Sequence, residues 1–188
     1  RELSAEDEVV RSLLADSGHP VLAVLTKIDK VGRAAIRERT LALAAELGAR
    51  CIVAINFMAA DAAVAARQFA DLCALAGRYG LLVSLEPLAM GATRTPADGL
   101  RLLRDSGAAN ARLTVDLLHV VRTGTALAEV ATIEPALFGS VQICDGPLTI
   151  DPQSLADEAG TERMLPGTGA FPVKEFLPKE KADGWVDN

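Results

Sequence analysis

The chain has 188 residues, half of them hydrophobic and only 4% aromatic, with a formal net charge of -6 and a pI near 5.0. An acidic balance without a basic stripe or an RNA-type aromatic motif argues against nucleic acid as a partner, and no stretch approaches the ~20 uninterrupted apolar residues of a membrane span. The length suffices for one core of ordinary domain size but is short of the roughly 250 residues of a closed eight-stranded barrel.

Helix and strand signals then alternate along the chain. Ser4 followed by Asp7 and Glu8 reads as a helix start, with Val9, Val10, Leu13 and Leu14 on its apolar face and Ser17-Gly18-His19-Pro20 closing it. Val21 to Leu25 is a short buried strand. A second helix runs from about Arg33 to Leu47, stops at Gly48, and feeds a strand from Cys51 to Phe57. Asp61 through Arg78 forms the next helix, followed by a strand from Leu81 to Leu85. Thr95-Pro96-Ala97-Asp98 opens another helix that ends at Gly107, before a strand from Arg112 to Val115. A helix over about Ala126 to Val130 precedes the strand Ser140 to Cys144, and Asp145 to Pro172 forms a long Gly- and Pro-rich loop of the kind that covers a substrate. A last helix is expected near Val173 to Lys181, with Gly184 to Asn188 as the start of one more strand. Strict alternation predicts an α/β fold of parallel strands with helices outside, either a partial TIM barrel or an open doubly wound sheet. One domain over 1–188 is expected.

Cys51, Cys73 and Cys144 sit inside apolar runs at spacings that match neither a zinc knuckle nor a disulfide framework, so they read as buried free thiols. The first six residues contain no apolar signal core, and a cytoplasmic location is the expectation.

A polar side chain recurs near the end of each strand-like run in the C-terminal two-thirds. The runs are Leu81 to Glu86, Leu113 to Asp116 with His119 just behind, and Ser140 to Asp145 through Gln142. Parallel α/β folds bring such strand ends onto one rim, where metals and substrates bind. Glu86, Asp116 and Gln142 therefore form a candidate metal site. Asp145 reads equally as a cap for the turn that follows it.

The order of Ser84-Leu85-Glu86-Pro87-Leu88, Thr95-Pro96, Val115-Asp116-Leu117-Leu118-His119, Val141-Gln142-Ile143-Cys144-Asp145 and Arg163-Met164-Leu165-Pro166-Gly167-Thr168-Gly169 resembles the xylose-isomerase-like TIM-barrel superfamily. Hydroxypyruvate isomerases and inosose dehydratases are the branches it looks most like. The resemblance implies a sugar isomerase or epimerase that moves a proton between adjacent carbons of a small hydroxy-carbonyl substrate through an enediolate. It implies Glu86 as metal ligand and catalytic acid/base, Asp116 as second ligand, Gln142 where many members have a His ligand, and His119 and Arg163 on the substrate. An oxygen-rich ligand set favours Mn²⁺ or Mg²⁺, and the cation stabilises the charge that develops on the two substrate oxygens. The family's fourth ligand and second acid/base is a Glu a few residues after an Asp-Gly pair, which falls just past Asp183-Gly184-Trp185-Val186-Asp187-Asn188. Impaired turnover is the corresponding expectation.

Residues 1 to about 33 instead resemble a segment of a translation-type GTPase, with Thr26-Lys27-Ile28-Asp29 in place of its guanine-recognition motif. The phosphate-cradling Gly-x-x-x-x-Gly-Lys-Ser/Thr loop has no match, so no nucleotide site is expected. Together the two resemblances suggest a seam near 31–40 and, as an alternative to the enzyme, a recombined or engineered scaffold without activity. Five or six strands leave sheet edges that a homodimer of two partial barrels would cover.

Overall fold

The computed structural model describes Ser12, residues 33–57 and residues 61–177. The helix expected after Ser4, the strand Val21 to Leu25, the Thr26 to Asp29 motif and everything expected beyond residue 177 lie outside the described residues.

Within them the alternation is realised. Helix α1 (Arg33–Glu46) leads to strand β1 (Cys51–Ile55), α2 (Ala62–Gly77) to β2 (Leu82–Glu86), and α3 (Pro96–Ser106) to β3 (Ala111–Asp116). Local chemistry sets these boundaries. Asp61 accepts hydrogen bonds from the Ala63 and Val64 amides at the start of α2, and Thr95 and Asp98 form a reciprocal capping box around Pro96 at the start of α3. Helix α3 ends because Gly107 adopts φ 64°, a left-handed conformation that glycine takes without steric cost.

After β3 come α4 (Leu117–Arg122), α5 (Leu127–Ala131) and β4 (Phe138–Gln142), and then α6 (Leu155–Gly160) and α7 (Val173–Phe176). All strand pairings are parallel, in the order β1-β2-β3-β4, so among the described residues the sheet is open and not closed into a barrel. One face carries Ile52, Val83, Leu85, Leu113 and Val115, which pack with Phe69, Cys73 and Ala76 of α2 and Leu102 and Leu103 of α3 in one buried cluster. Strand alternation sends the intervening residues to the opposite face. These are Ser84, Glu86, Thr114, Asp116, Ser140 and Gln142.

Several boundaries differ from the sequence expectation. Strand β1 stops at Ile55, not Phe57, because the Asn56 side chain turns to Thr93 Oγ1 at 3.1 Å and its carbonyl accepts from the Ala92 amide. Strand β4 begins two residues early and ends at Gln142, not Cys144. Its register against β3 jumps from Leu113 opposite Phe138 to Thr114 opposite Ser140, which leaves Gly139 as an extra residue in a bulge. A Cβ at Gly139 would stand 2.7 Å from Ser84 Cβ and 2.9 Å from Arg112 Cβ, so only glycine fits there.

Helix α4, which had no counterpart in the sequence reading, starts directly on Asp116, whose Oδ1 accepts from the Leu118 amide at 2.9 Å. The loop after Asp145 is not wholly irregular either, since α6 lies within it. Cys73 and Cys144 are buried as expected, but Cys51 is only partly so, because β1 lies at the edge of the described sheet. No described helix is long and apolar enough to cross a membrane.

Candidate metal centre

The face opposite the core is layered. Ser84 Oγ lies 2.6 Å from Thr114 Oγ1, which lies 2.9 Å from Ser140 Oγ, so one hydroxyl from each of β2, β3 and β4 joins a hydrogen-bonded row. Two residues further along each strand, and therefore on the same face, come Glu86, Asp116 and Gln142. The row fixes the strands against one another directly beneath the strand-end layer.

In that upper layer Glu86, Asp116 and His119 converge, with one possible ligand atom from each lying within 4.8 Å of the others. His119 Nε2 is 3.8 Å from Asp116 Oδ2 and 4.0 Å from Glu86 Oε1. All three residues are buried, at 7%, 2% and 3% exposure. Gln142 is the direct register partner of Asp116 on β4, so its amide belongs to the same layer. Ligand atoms around one octahedral ion stand about 3 to 4 Å apart, and a buried oxygen set of this kind suits a hard divalent cation. The residues present fit such an ion.

The two carboxylates differ. Asp116 has both oxygens occupied, Oδ1 by the Leu118 amide and Oδ2 by Arg163 Nη1 at 2.7 Å. No described residue hydrogen-bonds the Glu86 carboxylate. Burial, together with the nearby charge of Asp116, pushes Glu86 up to about 7, with Arg163 opposing. A buried carboxylate held near neutrality is suited to exchanging a proton or to releasing one when a cation arrives.

His119 is oriented from behind. The Ala89 amide donates to its Nδ1 at 3.4 Å, which directs the ring proton of the neutral imidazole to Nε2, facing the carboxylates. The loop carrying Ala89 is itself braced by Arg94 Nε on the Ala89 carbonyl at 3.0 Å and by the Leu88 amide on Thr93 O. Burial lowers the His119 pKa, although Asp116 opposes the shift. In this tautomer Nε2 is a donor toward the site and not a free metal ligand.

Arg163 comes from the long loop. Asp145, at 1% exposure, forms a two-way backbone bridge with Met164 and accepts from the Gly146, Gly167 and Phe171 amides at 2.8 to 2.9 Å. Desolvation works against its charge, but the backbone donors of Phe171, Gly169, Gly146 and Gly167 hold its pKa down to about 2. Asp145 is thus the anchor of the loop, and the anchor places Arg163 over the rim.

The chain matches the family described as xylose isomerase-like TIM barrel over residues 3–186. It belongs to that family. A putative hydroxypyruvate isomerase of Streptomyces coelicolor is 33% identical over 89 residues, 46% of this chain and 27% of that protein. A xylose isomerase-like TIM barrel/4-hydroxyphenylpyruvate dioxygenase fusion protein superposes with TM-score 0.77 at 22% identity, over 90% of this chain and 29% of that one. IolI, solved with a bound zinc atom, gives TM-score 0.72 at 17% identity over 90% of this chain and 67% of that one. The chain therefore spans under a third of the first two of these relatives.

Within this xylose isomerase-like sheet, sequence reasoning located the carboxylate layer but missed its supports. The hydroxyl row had a readable signal, since Ser84-x-Glu86, Thr114-x-Asp116 and Ser140-x-Gln142 repeat one spacing. Arg122 at the end of α4 and Glu158 on α6 within the long loop, a buried pair, had none.

Proposed function

We propose that the chain carries the site of a divalent-metal-dependent sugar isomerase or epimerase acting on a small hydroxy-carbonyl substrate. The convergence of buried Glu86, Asp116 and His119 at the carboxyl ends of β2 and β3 carries the reading. Glu86, Asp116 and Gln142 would hold Mn²⁺ or Mg²⁺, and the zinc in IolI keeps zinc among the candidates. When bound, the ion supplies Lewis-acid charge for the two oxygens of the substrate.

The chain's own residues do the rest. Glu86, whose carboxylate hydrogen-bonds no described residue, takes the proton from the carbon next to the carbonyl. His119 donates from Nε2 to a substrate oxygen, in the tautomer that the Ala89 amide sets. Arg163 offers its charge to a hydroxyl or carboxylate from the open side of the rim. A single family match over residues 3–186 supports one continuous domain over two pieces joined near 31–40.

Because one carboxylate suffices to exchange a carbon-bound proton, the test is deuterium incorporation. The Mn²⁺-loaded chain is incubated with hydroxypyruvate in D₂O and followed by NMR, beside Glu86→Gln. Exchange in the parent that is absent in the variant supports the reading, and equal rates in the two defeat it.

A further inference from the structure

We propose that Arg122 and Glu158 are positioning residues that hold Arg163 at the rim by fastening the 145–171 loop on its far side. The inference rests on the role given to Arg163 above. Arg122, the last residue of α4, uses one guanidinium to reach three parts of the loop. Its Nη1 donates to Leu148 O at 2.9 Å and its Nη2 to Pro147 O at 2.6 Å, both at the loop entry. Its Nε donates to Glu158 Oε2 at 2.7 Å while Nη2 also contacts Glu158 Oε1, a two-pronged pair on α6. Its charge lies 4.9 Å from the ring centre of Phe171 at the loop exit.

The pair is well buried, with side chains 7% and 4% exposed. Two charges are costly to take out of water unless each is fully paired, and a surface strut would not require it. The next residue in α6 explains what the pair accomplishes. Ala159 O accepts from Arg163 Nε at 2.9 Å, which fixes the plane of that guanidinium, and Arg163 Nη1 then meets Asp116 Oδ2. Asp116 caps α4, and α4 ends on Arg122. The path from Asp116 through α4, Arg122, Glu158, Ala159 and Arg163 returns to Asp116 as a closed ring of contacts around the loop.

The consequence is a division of labour. The proposed metal ligands are placed by the strands, whereas the substrate-facing cation is placed by the loop, and a displacement of ~1 Å at such a group costs up to about a hundredfold in rate. Cys144 reports the position of the loop, because it is buried at 4% exposure with Arg163 Nη1 4.0 Å from its sulfur.

The experiment uses Glu158→Gln and the double apolar variant Arg122→Met/Glu158→Leu, which leaves no buried charge unpaired. Three quantities are read: the labelling rates of Cys144 and Cys73 by peptide mass spectrometry, Mn²⁺ affinity by calorimetry, and hydroxypyruvate affinity of the Mn²⁺-loaded chain. We expect Cys144 labelling to rise at least about tenfold and hydroxypyruvate affinity to fall about tenfold, while Cys73 labelling stays within about threefold and Mn²⁺ affinity holds or tightens by up to about fivefold. Unchanged Cys144 labelling in a folded double variant overturns the proposal. So does a parallel rise in Cys73 labelling with loss of Mn²⁺ binding, which would mark a merely structural pair. Arg163→Gln separates the two readings: if it leaves hydroxypyruvate affinity intact, the substrate role of Arg163 fails, while Cys144 labelling still judges the clamp.

Discussion

Arg163 meets Asp116 on the carboxylate oxygen that also faces His119. Arg163 Nη1 stands 2.7 Å from Asp116 Oδ2, and the other oxygen already accepts from the Leu118 amide. A cation coordinating Asp116 at Oδ2 must draw on the same lone pairs and lie close to a fixed positive charge.

Replacing Arg163 with Gln should therefore tighten Mn²⁺ binding, by about fivefold at moderate ionic strength, since both competition and repulsion are relieved. Calorimetric titration of Arg163→Gln beside the parent measures this. Weaker binding in the variant would mean that Arg163 supports the metal layer and does not compete with it.

Glu86 gives the metal-free protein a pH dependence of unusual sign for a carboxylate. Its folded pKa of about 7 lies above the ordinary 4.5 because burial and Asp116 disfavour the charge. Below 4.5 folded and unfolded states both keep the proton; between the two values only the folded state keeps it, so stability falls as pH rises and the loss is complete above about 7. The loss amounts to at most about 3 kcal/mol. Chemical denaturation of Glu86→Gln should show a stabler protein than the parent at pH 8 and near-equality at pH 4.5. Mn²⁺ affinity should in turn rise about tenfold per pH unit below 7 and level off above it, as binding ceases to expel a proton.

His119 and Gln142 are the two candidates for the third ligand of the proposed ion. The Ala89 amide at Nδ1 leaves His119 presenting a proton to the rim, whereas Gln142 is the register partner of Asp116. We expect His119→Gln to keep Mn²⁺ affinity within about threefold and Gln142→Ala to lower it by about tenfold or more. The opposite order would place the imidazole in the metal's coordination shell.

Thr114 is the centre of the hydroxyl row beneath the carboxylates. Thr114→Val keeps its shape but strips the partner from both Ser84 and Ser140. A cost of about 1 to 3 kcal/mol in unfolding free energy is expected, with a measurable weakening of Mn²⁺ binding. Unchanged stability would show that the two serines find other partners.

How far the sequence could be read depended on whether a feature is local. The helix start at Thr95 to Asp98, the stop at Gly107 and the apolar alternation of β2 and β3 are set by near neighbours, and they appeared within about a residue of where expected. The strand-end placement of Glu86 and Asp116 follows from the same alternation. Strand β4 was misplaced by two residues because its register depends on Gly139 meeting Ser84 and Arg112, which are distant in sequence. Helix α4 escaped notice because six residues are too few to show a helical period. Arg122 and Glu158 lie 36 positions apart, and only the folded loop brings them together.

The most direct test is Mn²⁺ titration by calorimetry of the parent chain beside Glu86→Ala and Asp116→Ala. A dissociation constant of micromolar order in the parent, lost in both variants, is the predicted result. No binding in the parent, or binding that survives both substitutions, would contradict a metal centre at the ends of β2 and β3.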